Sequence, residues 1–113
     1  METKQQDVYA LGDVTSIATP HGYGPFLPKA GVFAHGQAET LAKNLAMKIE
    51  RRQPSEKWDG KGACFLEIGY GKAAYVSGNF LAEPKPQLNF KTPSRRWHLG
   101  KVLFEKYWLW KYF

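Results

Sequence analysis

The stretch Val8-Tyr9-Ala10-Leu11-Gly12-Asp13-Val14 constrains this chain more than any other part of it. Val8, Ala10, Leu11 and Val14 are apolar and the run stops at Gly12-Asp13, so residues 7–14 are predicted to form a short buried strand. Such a strand end places a carboxylate at a sheet edge. The glycine lets a ligand approach the backbone there, and the aspartate can accept hydrogen bonds from ribose-like hydroxyls. Residues 15–31, with Pro20, Gly22, Gly24, Pro25, Pro28 and Gly31, are predicted as loop. Ala34, Ala38, Leu41, Leu45 and Ile49 then recur at helical spacing, predicting a helix over 32–52. Lys48, Arg51 and Arg52 suit the cation-favouring end of its dipole, and Pro54 closes it. At its start Ala30, Gly31 and Ala34 are small enough for a planar ring to lie against free N–H groups.

Gln53 to Gly62 forms a linker carrying Trp58. Two strands follow, about 63–69 and 72–81, joined by Gly69-Tyr70-Gly71, a hairpin signal. Pro84 and Pro86 break the chain, and a second helix runs from Ser94 towards Phe113. The fold class is therefore α+β: strand, long helix, β-hairpin, C-terminal amphipathic helix. Its natural segments are 1–52, 53–93 and 94–113. So few strands make a thin independent sheet, which implies further neighbours. The abrupt entry into a strand after the polar run Glu2 to Gln6 likewise suits a piece of a longer protein.

Charge and cysteine content narrow the function classes. From Lys91 onward six Lys/Arg face the single acid Glu105, so five of the chain's six net positive charges sit in the tail. A basic tail faces nucleic acid, anionic lipid or water, and no recognised RNA- or DNA-binding motif favours the first. Cys64 is the only cysteine, which excludes an intrachain disulfide and a cysteine-rich zinc site and suits a reduced, cytoplasmic setting. No apolar run is long enough for a transmembrane helix and no apolar region marks a signal peptide. His21, His35 and His98 lack metal-ligand spacing, and no Gly-x-Gly-x-x-Gly motif occurs.

The tail has its own pattern. On a helical wheel Trp97, Phe104 and Trp108 fall within about 20° of one line. Leu103, Tyr107 and Trp110 broaden it into an aromatic face, which Lys111 interrupts. One reading is a helix packed on its own domain. The other is an interfacial helix with Trp and Tyr at headgroup level and Lys/Arg on anionic lipid.

Residues 8–14 together with Leu27-Pro28-Lys29-Ala30-Gly31-Val32-Phe33-Ala34-His35-Gly36-Gln37-Ala38-Glu39 resemble the second FAD-contacting region of flavoproteins with two dinucleotide-binding domains. Within these pyridine nucleotide-disulfide oxidoreductases they look most like sulfide:quinone oxidoreductase and the flavoprotein subunit of flavocytochrome c sulfide dehydrogenase. The resemblance implies that Asp13 holds the FAD ribitol and that Lys29, Ala30 and Gly31 line the isoalloxazine ring. It implies that Cys64 is one of two redox cysteines that shuttle sulfide-derived sulfur, the chemistry of which needs a second thiol in reach. It implies that Phe104 packs on a quinone ring and that the helix over 94–113 docks monotopically on the membrane. A free cysteine on a strand is otherwise a small buried hydrophobe.

The expectation is a C-terminal fragment of an FAD-dependent, peripheral membrane oxidoreductase passing electrons from sulfide to quinone. The periplasmic face and a homo-oligomer stay open. By itself the fragment is expected neither to hold FAD tightly nor to turn over, since both Gly-rich dinucleotide motifs are absent. Type II NADH dehydrogenases share the Gly-Asp strand but usually show Ala-Gln where this chain has Ala30-Gly31. Two alternatives remain: a related flavoprotein with another donor, and a non-catalytic interaction domain using the basic aromatic tail.

Overall fold

Among the described residues, two α-helices and a three-stranded antiparallel sheet make an α+β arrangement. The computed structural model describes residues 1–20 and 27–113. His21 and the central part of the predicted loop lie outside the described residues. The chain forms two compact units. The first is Met1–Gly62 with Asn79–Gln87, and the second is Ala63–Gly78 with Leu88–Phe113.

In the first unit the predicted strand over 7–14 is replaced by a shorter arrangement. Tyr9 makes an isolated antiparallel bridge with Glu2, supported by Thr3 N–H donating to the Val8 carbonyl and Ala10 N–H to that of Met1. The chain then turns at Gly12, whose φ of +72° suits glycine, into a single 3-10 turn, Gly12–Val14. The cause is a shortage of partners. A strand is stable only when its backbone pairs and its apolar face is covered, and Val8 and Val14 here stay exposed.

Helix α1 spans Gly31–Ile49. Its buried positions are Phe33 and Gln37, one turn apart, and Leu41 and Leu45 continue that face half-buried. It ends before the predicted boundary because Arg51 adopts φ 57°. Arg52 N–H then bonds the Met47 carbonyl and Arg51 N–H that of Lys48, the paired bonds that close a helix through a left-handed residue. Phe33 anchors this unit's core, edge-on to Trp58 (centroids 5.6 Å apart) and to Phe80 (4.9 Å).

In the second unit lies most of the sheet, ordered β1 (Lys61–Gly69), β2 (Lys72–Asn79), β3 (Gln87–Ser94). Tyr70 and Gly71 form the predicted hairpin turn, with positive φ at Gly69, Tyr70 and Gly71. β3 departs from the sequence reading, which took Pro84 and Pro86 as breaks and assigned no strand after them. Pro93 is tolerated inside it because β3 is an edge strand, where a missing N–H leaves no neighbour unpaired. Helix α2, Arg95–Tyr112, starts where Pro93-Ser94 predicts: Ser94 Oγ accepts from Trp97 N–H at 3.4 Å.

Candidate functional site

The residues singled out by sequence fall into two groups, one in each unit. In the first unit Gly12, Asp13, Lys29 and Ala30 line one small crevice with Thr15, Phe33 and Gln37. Two segments separated along the chain therefore meet. Lys29 Nζ donates to the Asp13 carbonyl at 2.7 Å and to the Thr15 carbonyl, pinning the segment before α1 to the 3-10 turn. Ala30 is the extended residue that caps α1, and Gly31 is the helix's first residue. An added Cβ at Gly31 meets nothing within 4 Å, so this end of α1 presents an open surface. The N–H groups of Gly31 and Val32 have no backbone acceptor among the described residues, as expected for the first turn of a helix.

The Asp13 carboxylate is exposed and makes no contact among the described residues, so its two oxygens are free acceptors. Behind the turn, Gly12 N–H donates to Gln37 Oε1 at 2.7 Å. A Cβ on Gly12 would lie 3.1 Å from that of Ala34, so the glycine lets the turn sit close on α1. Gln37 is only 1% exposed, and its Nε2 has no acceptor among the described residues. Sequence reasoning missed this residue. The available signal was a carboxamide between Phe33 and Leu41 at four-residue spacing, a polar group on the helix's apolar face.

The crevice holds about 10 Å³ of free space, enough for roughly one water-sized atom and not for a ring. A wider hollow of about 830 Å³ runs along the Leu41 and Leu45 face of α1 and, among the described residues, shares Ile17 and Gln37 with the crevice. On its wall, hydrogen bonds from Lys48 to Asp7 and Tyr9 hold that ammonium well above the ordinary lysine range.

In the second unit Cys64 lies on β1, half-buried and unpaired, and burial pushes its thiol above the usual value. Strand alternation puts it on the face opposite Phe65. Phe65 and Glu67 meet α2. Phe65 contacts Trp97 (6.4 Å) and Phe104 (6.2 Å), while Tyr75 of β2 stacks on Trp97 at 4.7 Å and 9° from parallel. The Glu67 carboxylate pairs with His98 Nδ1 at 2.9 Å and Lys101 Nζ at 3.3 Å, and the His98 bond is the main cause of its lowered pKa.

The Trp97, Phe104 and Trp108 line thus turns towards its own sheet at its first two members, and Trp108 packs on Phe104 at 5.6 Å. The outward side of α2 carries a different apolar line. Leu99, Leu103 and Trp110, 58%, 57% and 80% exposed, fall within about 40° of one another on the wheel. Arg95, Arg96 and Lys106 flank that line and are exposed too. No helix among the described residues is long and apolar enough to cross a membrane.

No family model matches the chain. Among curated proteins 94% of the chain aligns with the sulfide-quinone reductase of Aquifex aeolicus (strain VF5), at 30% identity. The chain is similar to a sulfide-quinone reductase. It spans 25% of that sulfide-quinone reductase's length.

Proposed function

We propose that this chain is the part of a longer FAD-dependent, membrane-associated oxidoreductase that carries one wall of the flavin site, one redox cysteine and a membrane-docking helix. What supports this most is the meeting of Gly12-Asp13 with Lys29 and Ala30 at the start of α1. These are the segments on which the flavoprotein resemblance rests, and the similarity to sulfide-quinone reductase points the same way. FAD, when bound, supplies two-electron transfer between donor and acceptor.

The chain's own residues then have these roles. The Asp13 carboxylate accepts from the ribitol hydroxyls. Lys29 holds the turn in place through the Asp13 carbonyl, while Ala30 and Gly31 leave room for the ring beside the N–H groups of α1. Those N–H groups favour negative charge on the ring. Cys64 is one of two cysteines whose disulfide sulfide attacks: the S–S bond breaks, one cysteine becomes a persulfide and the other leaves as a thiolate. The second cysteine is not in this sequence and comes from the rest of the parent protein. Phe104, backed by Phe65 and Trp108, seats the quinone ring. The line Leu99, Leu103 and Trp110 with Arg95, Arg96 and Lys106 docks on an anionic membrane surface at the cytoplasmic face.

Replacing the matching quarter of the Aquifex aeolicus sulfide-quinone reductase with this chain tests the reading directly. The purified chimera is expected to keep bound flavin, seen in its visible absorbance, and Asp13→Ala to lose it. A chimera folded by circular dichroism yet devoid of flavin sinks the proposal. For docking, the chain is sedimented with vesicles of phosphatidylserine and phosphatidylcholine. Leu103→Glu with Trp110→Glu should abolish binding, and unchanged binding removes the docking role.

A further inference from the structure

We propose that Gln37 acts at both ends of its carboxamide: Oε1 positions the Gly12-Asp13 turn, and Nε2 donates to a single hydroxyl oxygen of a polyol chain seated at the crevice. The inference rests on the flavin reading above, the polyol being the ribityl chain. Three observations carry it. Gln37 is 1% exposed and its Oε1 is taken by Gly12 N–H at 2.7 Å. Its Nε2 is left without an acceptor among the described residues, and a buried amide donor is almost always satisfied by protein, water or ligand. The crevice it lines has about 10 Å³ of space, matching one oxygen atom and excluding a ring or a phosphate.

The chemistry of the crevice selects the kind of oxygen. Asp13 also lines the crevice, and its carboxylate, without a partner among the described residues, only accepts, whereas Gln37 Nε2 only donates. A hydroxyl satisfies both, donating to Asp13 while accepting from Gln37. A ring carbonyl cannot donate, and an anionic oxygen is repelled by the carboxylate. Gln37 is therefore a positioning residue for Asp13 as well as a polyol contact.

The test follows the Gln37 side-chain NH2 and the backbone amides of the ¹⁵N-labelled chain by NMR. It uses FMN, which has the ribityl chain, and lumiflavin, which lacks it. FMN at millimolar concentration is expected to shift the Gln37 NH2 pair together with the Gly12 and Asp13 amides, and lumiflavin to leave the NH2 pair in place. Gln37→Glu, which keeps the acceptor and loses the donors, should retain slow exchange of the Gly12 amide and weaken FMN binding by about fivefold or more. Shifts at Lys29, Ala30 and Gly31 with an unmoved Gln37 NH2, or equal shifts from both flavins, overturn the assignment and leave the flavin reading standing. No shift at any of these amides overturns the Gln37 assignment, while the flavin reading is decided separately by the chimera. If Gln37→Glu does not fold, the wild-type NH2 shifts decide alone.

Discussion

Gly12 and Gln37, 25 residues apart in sequence, are joined by a 2.7 Å hydrogen bond from a backbone N–H to a buried carboxamide oxygen. That bond ties the Gly12-Asp13 turn to α1, and Lys29 ties it again from the other side through the Asp13 carbonyl. Backbone contacts hold the turn in place, and the Asp13 carboxylate has no partner among the described residues.

Gln37→Met keeps the side chain's length and removes its polar atoms, leaving Gly12 N–H without an acceptor. The expected loss is about 1–3 kcal/mol of stability, measured by urea denaturation. In parallel the Gly12 amide should exchange faster by NMR.

Phe33 is 2% exposed and is the ring on which Trp58 and Phe80 pack. Phe33→Ala should cost about 3–5 kcal/mol, a large share of a small domain's stability. Gly62→Ala probes the same contact from the opposite side. Its Cβ would lie 2.4 Å from Phe33 Cε1, so a cost of about 1–3 kcal/mol is expected from overpacking. Urea midpoints of the two variants check both values.

Arg51 closes α1 in the left-handed region, φ 57°, where a Cβ is strained. Arg51→Gly should relieve that strain and stabilise the chain by about 1 kcal/mol after the greater entropy of an unfolded glycine is subtracted. An upward shift in melting temperature is the readout.

Glu67 is held below the usual carboxylate range, first by its bond to His98 and then by Lys101. A carboxyl with a lowered folded pKa stabilises the fold above its unfolded value, near 4.5, and that contribution disappears as pH falls through the folded value. The melting temperature of the chain should therefore drop between pH 5 and pH 3 more steeply than that of Glu67→Gln. Equal slopes would remove the Glu67 contribution.

Cys64 has its thiol raised by burial, so the thiolate needed for attack is scarce near neutral pH. Its reaction with an aromatic disulfide reagent should be slower than that of free cysteine at pH 8. The rate should rise at a pH above the ordinary thiol range, and urea should bring it to the free-cysteine rate. A fast reaction in the native chain at pH 7 would contradict this and reveal an activating neighbour.

Much of the architecture was legible because its causes are local. The 3.6-residue recurrence from Ala34 to Ile49 specifies α1, Gly69-Tyr70-Gly71 specifies the hairpin, and Pro93-Ser94 specifies the start of α2. The strand over 7–14 failed for a non-local reason. An apolar run becomes a strand only beside a partner, and among the described residues this segment bridges Glu2 alone. β3 was hidden by its prolines, although Leu88, Phe90 and Thr92 alternate, because edge position is a property of the assembled sheet.

By itself the sequence determined the α+β class, the two helices, the hairpin and the residue types of the candidate site, since propensity, capping and turn chemistry act over a few residues. Only the tertiary structure decided that Gly12-Asp13 meets Lys29 and Ala30 at one crevice, that Gln37 stands behind them, and that α2 packs Trp97 on the sheet and sets Phe104 against Phe65 half-exposed while exposing Leu99, Leu103 and Trp110. Those outcomes depend on which surfaces are covered, and burial is settled by contacts between residues far apart in the chain.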